Sequence, residues 1–246
     1  MAQFMDFLRQ IMDYKKTFIS FILFYFIQYS IQAWMPAGTL SQKRINLVAG
    51  STKFEVGSGF VDGNSETARF YMPSGVAIDG SGNLYISDTE NHAIRKITPT
   101  GIVSTIGGNR SGQVGYLNGN ENAESRFYGP AGIAISTTGY IYIADSYNHT
   151  IRRISPTGTI STFAGSVGIS GSTDGVGAAA NFYQPTGVAL DSLNNIYIAD
   201  TYNNMIRKIS EDDGSVTTIA GNIVAGDADG IGAAASFSNP SGIVLD

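Results

Sequence analysis

Along most of this chain, apolar and polar positions alternate in short runs broken by turn-forming residues. Four such runs fill the stretch after Phe70: Gly75-Val76-Ala77-Ile78, Asn83-Leu84-Tyr85-Ile86, Ala93-Ile94-Arg95-Lys96-Ile97 and Ile102-Val103-Ser104-Thr105-Ile106. They end in Asp79-Gly80-Ser81-Gly82, Ser87-Asp88-Thr89-Glu90-Asn91, Thr98-Pro99-Thr100-Gly101 and Gly107-Gly108. Ile, Val and Tyr suit a pleated, half-buried surface, and Gly, Asn, Asp and Pro suit the reversals between such segments. The pattern predicts four short antiparallel strands in a meander. Helix-period patterns are missing after about residue 35.

The block recurs every 55 to 57 residues. It opens at Phe70, Phe127 and Phe182, and a fourth copy opens at Phe237 and runs to Asp246. A fixed period of this length marks one supersecondary unit copied in tandem. Four strands per copy predict a propeller blade. The shared pattern is F-x-x-P-x-G-(V/I)-A-(I/L)-D, then (L/I)-Y-I-(S/A)-D-(T/S)-x-N-x-x-I-R-(K/R)-I, and it resembles the NHL repeat. That resemblance implies an all-β fold, a β-propeller of NHL type, commonly six-bladed, with the first segment of each copy lining the central axis. The copies fall at about 70–108, 127–165 and 182–221, with a partial one from 237. Three departures stand out: Ser136 in place of Asp79, Asp191 and Asp246; Asn204 in place of His92 and His149; and one extra residue in Ser210-Glu211-Asp212-Asp213-Gly214.

Lys43–Gly50 resembles the last strand of a blade, so the propeller region, 34–246, begins on an outer strand and ends on an inner one. That makes 14 expected strands, about three and a half four-stranded blades of a probable six-bladed ring. An open arc leaves unpaired edges. The sequence therefore reads as part of a longer product, truncated at its C-terminal side.

The first 33 residues differ in kind. Lys15 and Lys16 precede an apolar run, Thr17–Ile27, and Ala33 could precede a cleavage point. Basic residues, a short apolar core and a small residue form a signal peptide pattern. The rival reading is an uncleaved signal anchor. The strictly apolar run is 11 residues, whereas a bilayer span needs about 20. Either reading places the repeats outside the cytoplasm, secreted or extracytoplasmic, with the membrane touched only through this segment.

Composition narrows the function. The chain has no cysteine, which excludes thiol catalysis and cysteine metal sites. Beyond Ala33 there are 12 Lys and Arg against 18 Asp and Glu, and half of the basic residues sit in the three Ile-Arg-(Lys/Arg)-Ile segments. No basic stripe remains for a phosphate backbone, so nucleic acid is disfavoured as a partner. The chain has neither a G-x-S-x-G elbow nor a phosphate-binding P-loop.

Asp88 and Asn91, Asp145 and Asn148, and Asp200 and Asn203 frame equivalent turns. Their oxygens could bind calcium, but recurrence in every copy favours side chains that cap their own turn. Arg95, Arg152 and Arg207 are expected to pair with an Asp of their own or a neighbouring blade, since a planar guanidinium holds carboxylate and carbonyl oxygens. His92 and His149 are the only histidines, too few for a zinc site without further ligands. No residue is assigned a catalytic, cofactor or metal role.

The connections Ser51–Arg69, Asn109–Arg126, Ser166–Asn181 and Asn222–Ser236 vary between copies. In propeller geometry they share a face with the Asp-(Thr/Ser)-x-Asn turns, presenting Glu90, His92, Tyr116, Tyr147, His149 and Tyr202. Aromatics on variable loops suit contacts with a protein, peptide or glycan. The bland reading is that the loops pack over the blades, with Ala178-Ala179-Ala180 forming one helical turn. The expected function is a non-enzymatic recognition or scaffold module. The alternatives are a metal-dependent propeller enzyme of lyase or lactonase type and an extracellular sensor domain of a membrane protein. Two N-glycosylation sequons are present, Asn109-Arg110-Ser111 and Asn148-His149-Thr150.

Overall fold

The computed structural model describes residues 48–50, 59–109, 111–120 and 125–246. The N-terminal segment 1–33 and most of the outer strand expected at Lys43–Gly50 lie outside these residues. Among the described residues no helix is long and apolar enough to cross a membrane.

The described chain is all-β, an open propeller-like array of three antiparallel sheets. The first sheet is β1 (Pro73–Ile78), β2 (Leu84–Asp88), β3 (Ala93–Ile97) and β4 (Val103–Gly107), hydrogen-bonded in that order. The second copy forms β6 (Pro130–Ile135), β7 (Ile141–Asp145), β8 (Thr150–Ile154) and β9 (Thr159–Ala164), with a two-residue strand β5 (Gly119–Asn120) outside β9. The third forms β11 (Gly187–Leu190), β12 (Ile196–Asp200), β13 (Met205–Ile209) and β14 (Ser215–Gly221), with β10 (Gly175–Val176) outside β14. The meander follows the hydrophobic pattern strand by strand.

The short outer strands correct the picture of the connections as loops confined to one end of the blades. Gly119 and Asn120 pair with Ile160 and Thr159, and Gly175 and Val176 pair with Val216 and Ser215. Asp62-Gly63 makes the corresponding bridge, Gly63 to Val103. Each connection thus runs down the outer edge of the blade it leads into. Further on, Gly177–Ala179 forms one 3₁₀ turn between blades. Gly165 of the second blade donates to the Gly177 oxygen, and Gly177 donates to Gly214 of the third.

The core lies between blades. Ile133 and Phe127 of the second blade pack with Tyr85 and Ile94 of the first, and Val188 and Phe182 of the third pack with Tyr142 and Ala144 of the second. Position in the stack decides burial. Val76, Ile133 and Val188 share one repeat position, yet Val76 is 54% exposed while Ile133 and Val188 are 6% and 8% exposed. Among the described residues the first blade has no blade in front of it.

The motif glycines explain how closely the inner strands β1, β6 and β11 approach. A Cβ on Gly75 would stand 2.2 Å from the Ala131 oxygen, and one on Gly132 would stand 2.3 Å from the Thr186 oxygen. Gly187 is equally tight, 2.6 Å from the Ser241 oxygen. The fourth copy corrects one expectation, that it opens on an inner strand. Residues 237–246 lie beside β11, where Thr186 Oγ1 contacts the Ser241 oxygen at 3.2 Å, but they join no ladder. An inner strand is held in a ladder by the second strand of its own blade, and no described strand pairs with these residues.

Two departures from the repeat prove to be partners. Asp79 Oδ2 accepts from Tyr85 Oη at 3.0 Å, and Asp191 Oδ2 makes the same contact with Tyr197 at 3.3 Å. Ser136 is too short to do so. Tyr142 Oη turns instead to Glu211 Oε2 of the third blade, at 2.7 Å, in the loop that carries the extra residue.

The glycine geometry predicts opposite outcomes at equivalent positions. Gly132→Ala should destabilise the protein by about 1–3 kcal/mol through overpacking, whereas Gly242→Ala, with open space around it, should stay within about 0.5 kcal/mol of wild type. Urea denaturation of the two variants checks this.

Candidate binding face

The Asp-(Thr/Ser)-x-Asn turns link the second and third strands of each blade, and every letter of the motif is bonded. Asp88 Oδ1 accepts the Tyr71 N–H at 2.7 Å, as Asp145 does from Tyr128 and Asp200 from Tyr183. Asn91 Nδ2 donates to Asp88 Oδ2 and, at 2.7 Å, to the Gly59 oxygen. Asn148 repeats this with Asp145 and Gly115, and Asn203 with Asp200 and Gly171. The hydroxyls reach the next blade, Thr89 to the Pro130 oxygen at 2.8 Å and Ser146 to the Pro185 oxygen at 2.6 Å. Asn148 is buried with its amide committed, so its sequon is closed in the folded protein.

The arginines sit beneath these turns, fully buried. Arg95 Nη1 donates to Asp88 Oδ2 at 2.7 Å and to the Arg69 oxygen at 2.9 Å, while Nη2 donates to the Val61 oxygen and to Asp62 Oδ1. Arg207 does the same with Asp200, Asn181, Thr173 and Asp174. Arg152 uses Asp145, Arg126, Leu117 and the neutral Asn118. Each guanidinium also lies over a motif phenylalanine, Phe70, Phe127 or Phe182, at 4.9 to 5.2 Å from the ring centroid.

A bulge in the outer strand recurs at each Ile-Arg step, between Ile94 and Arg95, Ile151 and Arg152, and Ile206 and Arg207. Bulges re-aim side chains. This one sets Thr105, Thr162 or Thr218 opposite the arginine, where each hydroxyl meets the same Asp or Asn of the connection. The recurrent Asp-Gly and Asn-Gly steps therefore supply ligands to the arginines as well as turns. Burial pushes the Asp145 carboxyl up to about 6, against the opposing pull of Arg152 and Asn148. It is still ionised at neutral pH.

Above this framework lie aromatic pairs. Tyr147 and Tyr128 meet at 4.9 Å between ring centroids with a 45° tilt, and Tyr202 and Tyr183 at 5.2 Å with a 42° tilt. All four rings are exposed. The first blade carries Tyr71 with exposed Glu90 in the matching place, so the row begins with a carboxylate. His92 and His149 are half-buried behind the pairs, edge-on to Tyr128 and Tyr183 at 5.6 and 5.5 Å. Tyr116 is exposed on its connection. Tyr71, Tyr128 and Tyr183 were not among the residues picked from the sequence. Their signal was the Phe-Tyr pair that opens each of three copies. Among the described residues no group of three or more His, Cys, Asp or Glu could hold a metal ion.

Four-stranded modules stacked through their inner strands, with every repeating polar residue tied into the stack, define a repeat-built propeller-type domain. The NHL repeat matches at residues 70–97, 127–154 and 182–209. The chain belongs to the NHL-repeat family of β-propellers. It is 32% identical over 219 residues to NHL repeat-containing protein 2 of Gallus gallus, covering 77% of this chain and 30% of that protein. It is 32% identical over 149 residues to the peptidyl-glycine alpha-amidating monooxygenase of Mus musculus, covering 58% of this chain and 14% of that one. A structural genomics protein of unknown function from Bacteroides thetaiotaomicron VPI-5482 superposes with a TM-score of 0.59 at 27% identity, over 71% of this chain and 42% of that one. The chain spans less than half the length of each.

The arginine cluster carries a stability prediction. Arg152→Leu leaves Asp145 buried without its cation and should cost about 3–5 kcal/mol, read as a lowered urea midpoint. Replacing half-buried Arg153, whose guanidinium lies over Tyr140 and Phe163, by Leu should change stability far less.

Proposed function

We propose that this chain is the propeller part of an extracytoplasmic recognition module, of six blades when complete, that binds a protein, peptide or glycan across its tyrosine face. One observation carries the reading. The repeating Asp, Asn and Arg side chains are consumed by the framework, while the pairs Tyr128–Tyr147 and Tyr183–Tyr202 stay exposed at equivalent places on successive blades. Aromatic rings held rigidly by their neighbours offer a large contact area with little ordering entropy to lose. Lys15, Lys16 and the apolar run after them support export.

The test is a screen of the complete protein against peptide and glycan arrays, followed by titration of the best binder. Tyr147→Ala with Tyr202→Ala should weaken binding at least about thirtyfold, the effect of an aromatic anchor worth about 2 kcal/mol, with an unchanged melting temperature. Full affinity in the double variant overturns the chosen face.

The similarity to an amidating monooxygenase favours one second reading, a metal-dependent lyase. Metal analysis of the purified complete protein separates the two. A stoichiometric divalent ion supports the enzyme reading, and its absence removes it.

A further inference from the structure

His92, His149 and Asn204 occupy one repeat position, each in the left-handed region with φ of 53°, 59° and 55°. All three reach across to the next copy of the repeat. His92 Nδ1 accepts the Gly129 N–H at 3.2 Å, His149 Nδ1 accepts the Gln184 N–H at 3.2 Å, and Asn204 Oδ1 accepts the Asn239 N–H at 2.9 Å. An Nδ1 that accepts a hydrogen bond carries no proton, so both imidazoles are the neutral Nε2–H tautomer.

The residue held by each bond is itself left-handed, with φ of 62° at Gly129, 46° at Gln184 and 51° at Asn239. It stands directly before the motif proline, Pro130, Pro185 or Pro240. For Gln184 this is a strained setting, because the residue before a proline favours extended backbone and a side chain disfavours positive φ. At Gly129 a Cβ would lie 2.3 Å from the Tyr147 ring. The same residue follows Tyr128 or Tyr183, the inner member of each aromatic pair, on which the histidine ring abuts edge-on. The bond therefore crosses a blade boundary and fixes the segment that carries the tyrosine.

We propose that His92 and His149 are proton-operated latches, which hold the tyrosine pairs of the second and third blades when neutral and release them when protonated. A proton taken from solvent onto Nδ1 turns the acceptor into a donor facing another donor, so the bond cannot persist. The strained residue before the proline is then free to relax. As regulation of the tyrosine face, the inference rests on the binding reading above.

The surroundings set the sign. Partial burial disfavours the imidazolium at both sites. Against it, the Glu90 carboxylate and the Thr89 backbone favour the charged form of His92, and the Ser146 backbone favours that of His149. From the next blade the facing groups are the rings of Tyr128 and Tyr183. Burial prevails, and both groups titrate below their ordinary 6.5. The unfolded chain takes up these protons first as pH falls. The contribution to stability is therefore complete above 6.5 and is lost progressively beneath it. Asn204 makes the same bond and cannot titrate.

Amide hydrogen exchange of the complete protein, corrected for the intrinsic effect of pH, reads the latches one by one. Between about pH 7.5 and about pH 5.5, protection at Gly129 and Gln184 should fall roughly five- to tenfold, the worth of one hydrogen bond, while Asn239 keeps its protection. In the variant His92→Asn with His149→Asn, all three amides should behave like Asn239. Unchanged protection at Gly129 and Gln184, or equal loss at all three amides in the wild type, overturns the proposal. No ligand enters this measurement, so failure of the arrays at neutral pH would remove the binding reading and leave the latch standing.

Discussion

Everything in this fold hangs from a guanidinium buried once per blade. A buried cation is tolerable only where its charge is matched and its donors are used. Arg95, Arg152 and Arg207 meet that demand through their two Nη groups, with Nε left without a partner among the described residues. They draw together parts far apart in sequence: the acid of the blade's own turn, the carbonyl before the motif phenylalanine, and the connection that arrives along the outer edge. The turn, the entry to the inner strand and the outer strand are thus set by one side chain. The clusters are not identical. Arg95 and Arg207 each face two carboxylates, while Arg152 faces one, because Asn118 stands where the other copies have Asp62 and Asp174. The second blade, with a blade on either side, keeps its cluster closest to neutral.

Blade-to-blade contact is built from different material. It uses isoleucines and phenylalanines in layers, a glycine where the inner strands nearly touch, and a few hydrogen bonds from the turns. In such a stack, stability is close to a sum of blade terms and neighbour terms. The division of labour frees the turn position between Thr or Ser and Asn, which bonds through its backbone alone. That position carries Glu90, Tyr147 and Tyr202, and it varies without disturbing the frame.

The sequence made the strands legible because each copy repeats a clear alternation bounded by turn residues. It also indicated the pairing of arginine with aspartate, since residues that recur in register are answering a recurrent demand. What stayed hidden has a common cause. β5 and β10 are two residues long and hold too little pattern to register. The links from His92 to Gly129 and from Tyr142 to Glu211 span 37 and 69 residues. They join one copy to the next, so comparing copies position by position reveals sameness but not who touches whom. An aromatic next to a phenylalanine carries no sign of its own exposure, and only the stacking geometry shows Tyr128 and Tyr183 facing solvent.

The bond between Tyr142 and Glu211 means that the blades are not interchangeable. Tandem repeats grow and shrink when recombination slips by one unit. A slip that duplicated the second copy would set one Tyr142 beside a blade with an ordinary turn, leaving a buried phenol without its acceptor, and a slip that deleted the third would do the same. Ser136 and the lengthened Ser210–Gly214 turn therefore bias the array against a change of copy number, since either slip costs about 1–3 kcal/mol for the unpaired hydroxyl.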